Sequence, residues 1–278
     1  MTVADEVLLV ERLVHVYPEG TRALDGVDLA IRRGERVAIV GQNGSGKTTL
    51  VRHFNGLLRP TEGRVLVDGA DAAGRRVAAL AASVGLAFQD PDRQIFAGKV
   101  RAEVGFGPRN LGRTGPELER AIDDALVATG LDGEAQTNPY DLGYSRRKLL
   151  ALASILAMGT PIVVLDEPTT GQDARGLQRI RTIVDGLAAG GRTVIAISHD
   201  MRFVAESFER VVVMRDGKVV LVGTPSEVFA AAAWETLAST FLEPPLPARI
   251  GARLGLGPTP TDAALLMALG SGSSTAGG

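Results

Sequence analysis

A chain of 278 residues with 45% hydrophobic and 22% charged side chains holds enough apolar material for a sizeable core. Its formal net charge of −2 excludes a global basic field with nucleic acid as the main ligand, and the absence of cysteine excludes disulfides and thiolate metal sites, which fits a reducing compartment. The acidic start Met1-Thr2-Val3-Ala4-Asp5-Glu6 lacks the basic and apolar regions of a secretory signal, and the longest apolar region, Leu149 to Leu165, is broken by Gly159-Thr160-Pro161 before reaching the ~20 residues a spanning helix needs.

Taken in order, residues 6–17 and 27–33 alternate apolar and polar positions, as half-buried strands do, with Pro18-Glu19-Gly20 as the turn between them. Tyr17 ends the first strand, its ring placed either to stack on an adenine or to pack on its strand neighbours. Arg36 to Val40 is an apolar, β-branched run of buried-strand type. Gly41-Gln42-Asn43-Gly44-Ser45-Gly46-Lys47-Thr48-Thr49 follows it and opens a helix, and this strand–loop–helix context fits the G-x-x-x-x-G-K-[ST] phosphate loop. Glycines at 41, 44 and 46 allow positive φ, so that backbone N–H groups and the helix N-terminus can face phosphate oxygens. Lys47 supplies a mobile cation for the β and γ phosphates, and Thr48 a hydroxyl for Mg²⁺.

Val65 to Val67 with the turn Asp68-Gly69 adds a short strand, and the early strands together predict a small antiparallel sheet. Val84 to Phe88 is a further apolar strand, running into the polar, proline-containing connector Gln89 to Phe96. From Val100 to Met158 the pattern is mostly helical, with helices over 117–129 and 146–158 and breaks at 105–108 and 131–139, which predicts a helical subdomain at about 90–160. Ile162 to Leu165 and Thr193 to Ser198 are buried parallel-type strands joined by a helix over 176–187, the first ending in Asp166-Glu167 and the second in His199-Asp200. Val211 to Met214 and Lys218 to Val222, joined by Asp216-Gly217, form a hairpin. After Phe241 the Pro-rich stretch 244–247 precedes short helical candidates at 250–256 and 261–269, and the Gly/Ser-rich residues 270–278 read as a disordered tail.

Ligands of open α/β sheets bind beyond the carboxyl ends of parallel strands, so Gly41, Gln89, Asp166, Glu167 and His199 should converge there. Asp166 is suited to hold Mg²⁺, Glu167 to polarise an attacking water as general base, and His199 to bond the γ phosphate or orient that water. Gln89 offers a neutral carbonyl to Mg²⁺ or water on a loop able to report nucleotide state. The fold class is thus α/β: a P-loop NTPase with a parallel core sheet, a small antiparallel β subdomain, an inserted helical subdomain and a short C-terminal helical extension.

These motifs, in this order, resemble the ATP-binding cassette (ABC) transporter ATPases over roughly residues 7–230. Gly41 to Thr49 matches Walker A, Gln89 the Q-loop, Ile162 to Glu167 Walker B, Thr170-Gly171-Gln172-Asp173 the D-loop and His199 the switch histidine. The segment Phe88 to Phe96 and the Pro-Pro extension are similar to the energy-coupling-factor (ECF) group of vitamin and cobalt or nickel uptake ATPases. The resemblance implies ATP and Mg²⁺ as ligands, an ATPase domain over 1–240 with a pairing extension over 241–269, and residence at the cytoplasmic face of the cell membrane. Its implied partners are a second ABC ATPase, a transmembrane scaffold protein and a substrate-binding membrane subunit, with no nucleic acid. One motif departs: where the family has Leu-Ser-Gly-Gly-Gln, a loop that binds the γ phosphate of the opposite subunit, this chain has Leu142-Gly143-Tyr144-Ser145-Arg146. Gly143 removes the hydroxyl and Tyr144 adds bulk, with Ser145 and Arg146 as partial substitutes, so pairing with a paralogue is favoured over self-pairing. A GTPase or small-molecule kinase lacks support, since no Asn-Lys-x-Asp is present. The short separation of Lys47 from Asp166 leaves no room for the coiled coil of DNA-repair cassettes, and translation members carry two cassettes. A cluster-assembly ATPase stands as the alternative.

Overall fold

A computed structural model describes residues 5–272. Two sheets face each other across one of two apolar cores. The first sheet is antiparallel, in the order β2-β1-β4-β5, and comprises β1 (Glu6–Val16), β2 (Arg22–Arg32), β4 (Glu62–Val67) and the two-residue β5 (Ala70–Asp71). The second has six strands in the order β10-β9-β3-β8-β7-β6: β3 (Arg36–Val40), β6 (Val84–Ala87), β7 (Ile162–Asp166), β8 (Thr193–Ile197) and β9 (Arg210–Arg215) run parallel, and β10 (Lys218–Gly223) closes the edge antiparallel to β9. The expected small antiparallel sheet beside a parallel core is therefore present.

Strand periodicity explains why the parallel strands are apolar throughout. Val37, Ile39, Ile195, Ile197, Ile162 and Val164 point into a core shared with the antiparallel sheet and α1 (Lys47–Phe54). Their alternates Ala38, Val40, Val194, Ala196, Val163 and Leu165 point into a second core on the opposite face. A sheet buried on both faces has no polar side to alternate with. α6 (Ala174–Ala189) and α7 (Met201–Ser207) share the second core with the helical lobe: α3 (Val100–Asn110), α4 (Gly115–Thr129) and α5 (Tyr144–Met158). A short α2 (Val77–Ala81) precedes β6, while α8 (Pro225–Val228), α9 (Trp234–Ala238), α10 (Leu246–Arg253) and α11 (Asp262–Gly272) follow β10.

Four expectations are corrected. The second strand begins at Arg22, five residues earlier than its alternation indicates, because Gly26 (φ +74°) is an extra residue between the pairs Val14↔Asp25 and Leu13↔Val27, a bulge that interrupts the pattern. The break at 105–108 does not exist. α3 runs through it, with Pro108 inside its last turn, where it removes a single helical bond, to the Val104 carbonyl, and Gly107 lies against Met158 of α5, where a Cβ would come within 2.5 Å of Met158 Cγ. The helical candidate at 250–256 starts earlier, at Leu246, since Pro247 at the second helical position suits a helix start. Finally, α11 extends through residues 270–272 of the expected disordered tail; residues 273–278, like residues 1–4 of the acidic start, lie outside those described. Among the described residues no helix is long and apolar enough to cross a membrane.

Candidate functional site

The carboxyl ends of β3, β6, β7 and β8 lie side by side, and the loops leaving them build the site. Residues 41–46 bend between β3 and α1 with Gly41, Gly44 and Gly46 at φ +149°, +82° and +99°. A Cβ on Gly41 would stand 2.2 Å from the Met214 carbonyl oxygen of β9, and one on Gly46 would stand 2.5 Å from the Ala23 carbonyl oxygen of β2. These two glycines are thus required by neighbouring backbone. Gly44 alone has open space beside it. The loop is pinned further by Gly217 N–H donating to the Ser45 carbonyl (3.2 Å) and by Ser45 N–H donating to Gln42 (3.2 Å).

A cavity of about 380 Å³ opens over this bend, lined by Tyr17, Asn43, Gly44, Lys47, Thr48, Thr49, Gln89, Asp166 and Glu167 among others. Lys47 is buried and folds onto its own loop, its Nζ donating to the Gly41 carbonyl (2.7 Å) and the Gln42 carbonyl (2.8 Å), with Ser45 Oγ at 3.5 Å. Burial holds its ammonium pKa below the ordinary lysine value, against the opposing pull of the Glu167 and Asp166 carboxylates. Folded onto backbone acceptors by a flexible four-carbon stem, Lys47 is a cation available to an anionic ligand. Tyr17 lies at the rim, its hydroxyl 3.0 Å from Thr49 Oγ1 and its ring edge-on to His15 (centroids 4.6 Å apart), so it meets strand neighbours while keeping a place on the cavity wall.

Thr48 donates its hydroxyl to Asp166 Oδ2 (3.2 Å), and Asp166 Oδ1 is buried with no partner. Burial raises the Asp166 carboxyl pKa, the Thr48 hydroxyl lowers it, and the charge of Glu167 raises it again. A buried carboxylate oxygen without a donor, beside a hydroxyl and with Gln89 on the same cavity, is an all-oxygen set suited to Mg²⁺. Glu167 is buried at φ +53°, a conformation side-chain residues seldom adopt, and is held from three sides. Its N–H donates to the Ile197 carbonyl (2.9 Å), its carbonyl accepts from Lys148 Nζ, and its Oε2 accepts from His199 Nδ1 (2.7 Å). His199 does not line the cavity; its side chain is 64% exposed, so with Nδ1 turned to Glu167 the other ring nitrogen faces solvent.

The segment 142–148 takes a form the sequence did not indicate. Gly143 caps α5 with no side-chain bond, and the groups expected to substitute for the missing serine are engaged within the chain. Ser145 Oγ donates to Gln172 Oε1 (2.7 Å), Gln172 Nε2 returns a bond to the Ser145 carbonyl (3.1 Å), and Arg146 pairs with Glu134 and the Gly130 carbonyl. Tyr144 lies against Gly171, where a Cβ would stand 2.8 Å from the ring. The partial substitution expected of Ser145 and Arg146 is therefore not available in this arrangement. Two participants were missed: Gln94, whose amide bridges Phe88 N–H (3.1 Å) and the Ala151 carbonyl (2.7 Å), and Lys148, which in the sequence only closes the basic run Arg146-Arg147-Lys148 ahead of an apolar stretch.

Comparison with known proteins agrees with this geometry. Residues 24–170 match the ABC transporter family. An ABC transporter ATP-binding protein of Caldanaerobacter subterraneus subsp. tengcongensis is 43% identical over 251 residues, which cover 90% of this chain but 44% of that protein, so the chain spans less than half that relative's length. The energy-coupling factor transporter ATP-binding protein EcfA2 of Symbiobacterium thermophilum is 44% identical over 230 residues, covering 80% of each chain. Among solved structures, cbiO1 of Clostridium perfringens, part of the ABC transporter complex cbiONQ, superposes with a TM-score of 0.75 at 36% identity over 90% of this chain and 99% of that one. With the phosphate loop, the paired strand-end acids and the β-sheet order on one side and these matches on the other, the chain belongs to the ABC transporter family.

Proposed function

We propose that the chain is the ATP-binding and hydrolysing subunit that energises a membrane importer of the ECF type, taking up a vitamin or cobalt or nickel ions, and that it works as a dimer on a transmembrane partner. The observation that carries this reading is the joint placement of Lys47, Thr48, Asp166 and Glu167 around one cavity at the strand ends, with His199 bonded to Glu167 from outside the cavity wall. In this reading the backbone amides of residues 43–48 and the Lys47 ammonium hold the β and γ phosphates, Lys47 exchanging the Gly41 and Gln42 carbonyls for phosphate oxygens. Thr48, Asp166 and Gln89 would hold Mg²⁺, which when bound would supply positive charge to offset that of the phosphates. Glu167 accepts a proton from the attacking water as the new phosphorus–oxygen bond forms and the bond to ADP breaks, while His199 keeps that carboxylate oriented. Tyr17 serves as the platform for the base.

Docking on a membrane partner is supported by Phe96 and Phe106, which stack edge to face (4.6 Å) while 59% and 47% exposed beside the Gln89 loop. The apolar, exposed Leu266 and Met267 of α11 fit the expected role of the C-terminal extension in ATPase pairing. In this reading the chain is peripheral, on the cytoplasmic side of its membrane partner. The intramolecular commitments of residues 144–146 favour a paralogue over a second copy as the partner ATPase, because a regular signature loop must then come from another chain. Expression from native membranes should yield a polytopic membrane protein and a second cassette with this chain. Brisk cooperative hydrolysis by the chain alone would count against the paralogue, and recovery of soluble cluster-assembly factors in place of a membrane protein would sink the transport reading.

A further inference from the structure

Lys148 sits one turn into α5, 7% exposed, in an apolar setting of Leu149, Leu152 and Leu165, where a charged amine is expensive to keep. Burial pushes its pKa down to about 8 even with the Glu167, Asp166 and Asp90 carboxylates favouring the charged form. Its ammonium has two neighbours: the Glu167 carbonyl, to which it donates, and the face of Tyr144, 5.9 Å from the ring centroid. Glu167 is also the residue at φ +53°, and strain of that kind persists only where surroundings over-determine it. The same helix turn grips the following loop twice more, Tyr144 against Gly171 and Ser145 in its reciprocal bonds with Gln172, and reaches the Gln89 loop through the Arg147–Asp92 ion pair (2.9 Å).

From this geometry we infer that Lys148 is a positioning residue for the reaction, a buried cation that fixes the backbone of Glu167 and thereby ties the aim of the general base to the position of the helical lobe. The inference rests on the proposed ATPase reading. It adds that the turn of α5 that would face a partner's nucleotide braces the chain's own hydrolytic loop. Displacement of α5 relative to β7 releases the Glu167 carbonyl, and the strained backbone relaxes out of its productive geometry. A misplacement on the order of 1 Å at a reacting group costs about 100-fold in rate, so the brace acts on turnover, with nucleotide affinity set elsewhere, at the phosphate loop.

The test uses the full chain with Lys148→Met, which keeps length and volume but removes the donor, and Lys148→Arg, which keeps charge and donor. Lys148→Met leaves the buried Glu167 carbonyl without this donor and costs stability whatever the role of the lysine, so a merely structural role predicts a lower melting temperature with the kcat of the folded protein unchanged. The expected result, measured below the melting transition of each variant, is a kcat at least tenfold lower for Lys148→Met with KM for ATP within twofold, partial recovery in Lys148→Arg, and faster amide exchange across residues 167–172 in the nucleotide-free chain. A kcat within twofold of the parent, or exchange at 167–172 unchanged, overturns the inference. Should Lys47→Ala bind ATP as the parent does, the ATPase reading itself fails. Amide exchange then still reports on the brace by itself.

Discussion

Glu167 concentrates the demands of the site on one residue: a left-handed backbone, a buried carboxylate, and a partner for each of its backbone and side-chain groups. Its side chain meets His199 and its backbone meets Lys148 and Ile197, so the two kinds of contact are separable by mutation. His199→Ala leaves the backbone contacts in place but frees the carboxylate to rotate; the expectation is a turnover loss of about 10²-fold with nucleotide affinity retained, measured as kcat against the binding constant. A loss of affinity instead would move His199 from orienting the base to holding the ligand. Gly41→Ala places a methyl group 2.2 Å from the Met214 carbonyl oxygen at a φ that alanine resists, so it should lower stability by about 2 kcal/mol or more in a urea titration. A neutral outcome would mean that β9 and the phosphate loop move apart freely.

At the scale of elements, α1 is anchored to the antiparallel sheet by a buried pair of histidines. His53 donates Nδ1–H to the Thr49 carbonyl (2.8 Å), and its Nε2 lies 3.2 Å from His15 Nδ1, which also faces the Arg59 carbonyl (3.1 Å). Burial holds the His53 pKa down to about 4 from an ordinary 6.5, countered by its bond to Thr49 and deepened by His15. The unfolded chain therefore takes up this proton at higher pH than the folded one. Stability is whole above the unfolded value and falls as pH drops toward the folded value, by about 2 kcal/mol between pH 7 and pH 5. Urea midpoints at those two pH values should show this drop, and His53→Gln should shrink it; an equal drop in the variant would assign the effect to other groups. In the helical lobe, Gly107→Val drives a branched side chain into Met158 and should cost about 1–3 kcal/mol, with part restored by Met158→Ala. No rescue would mean that α3 and α5 are not in the close contact described.

At the scale of the molecule, the six-stranded sheet separates two cores, one shared with α1 and the antiparallel sheet and one with the helical lobe, and the site lies at the strand ends where both meet. This arrangement was legible wherever a residue type answers to a local need. The run Arg36 to Val40 before Gly41, and Ile162 to Leu165 before Asp166-Glu167, read as strand and site together because buried parallel strands are apolar throughout and their ends hold the polar chemistry. The reading weakened where tertiary packing decided the outcome. Gly105 to Pro108 looked like a break, but Gly107 serves the approach of α3 to α5. Arg22 to Asp25 did not look like strand, because Gly26 bulges the ladder. Ser145 and Arg146 read as free substitutes in a signature loop, whereas their partners Gln172, Glu134 and Gly130 are remote in sequence and nothing local names them. Lys148 illustrates the limit most plainly, since the end of the basic run Arg146-Arg147-Lys148 announces neither its burial nor the carbonyl it reaches.

The proposed reaction separates two jobs, between a phosphate loop that holds the nucleotide and a carboxylate that drives its hydrolysis. The most direct measurement is single-turnover hydrolysis and equilibrium ATP binding in Glu167→Gln, whose amide keeps the shape and the bond partner but cannot take a proton. ATP should remain bound at parental affinity while hydrolysis falls by about 10²-fold or more. Hydrolysis within a few-fold of the parent would contradict the account.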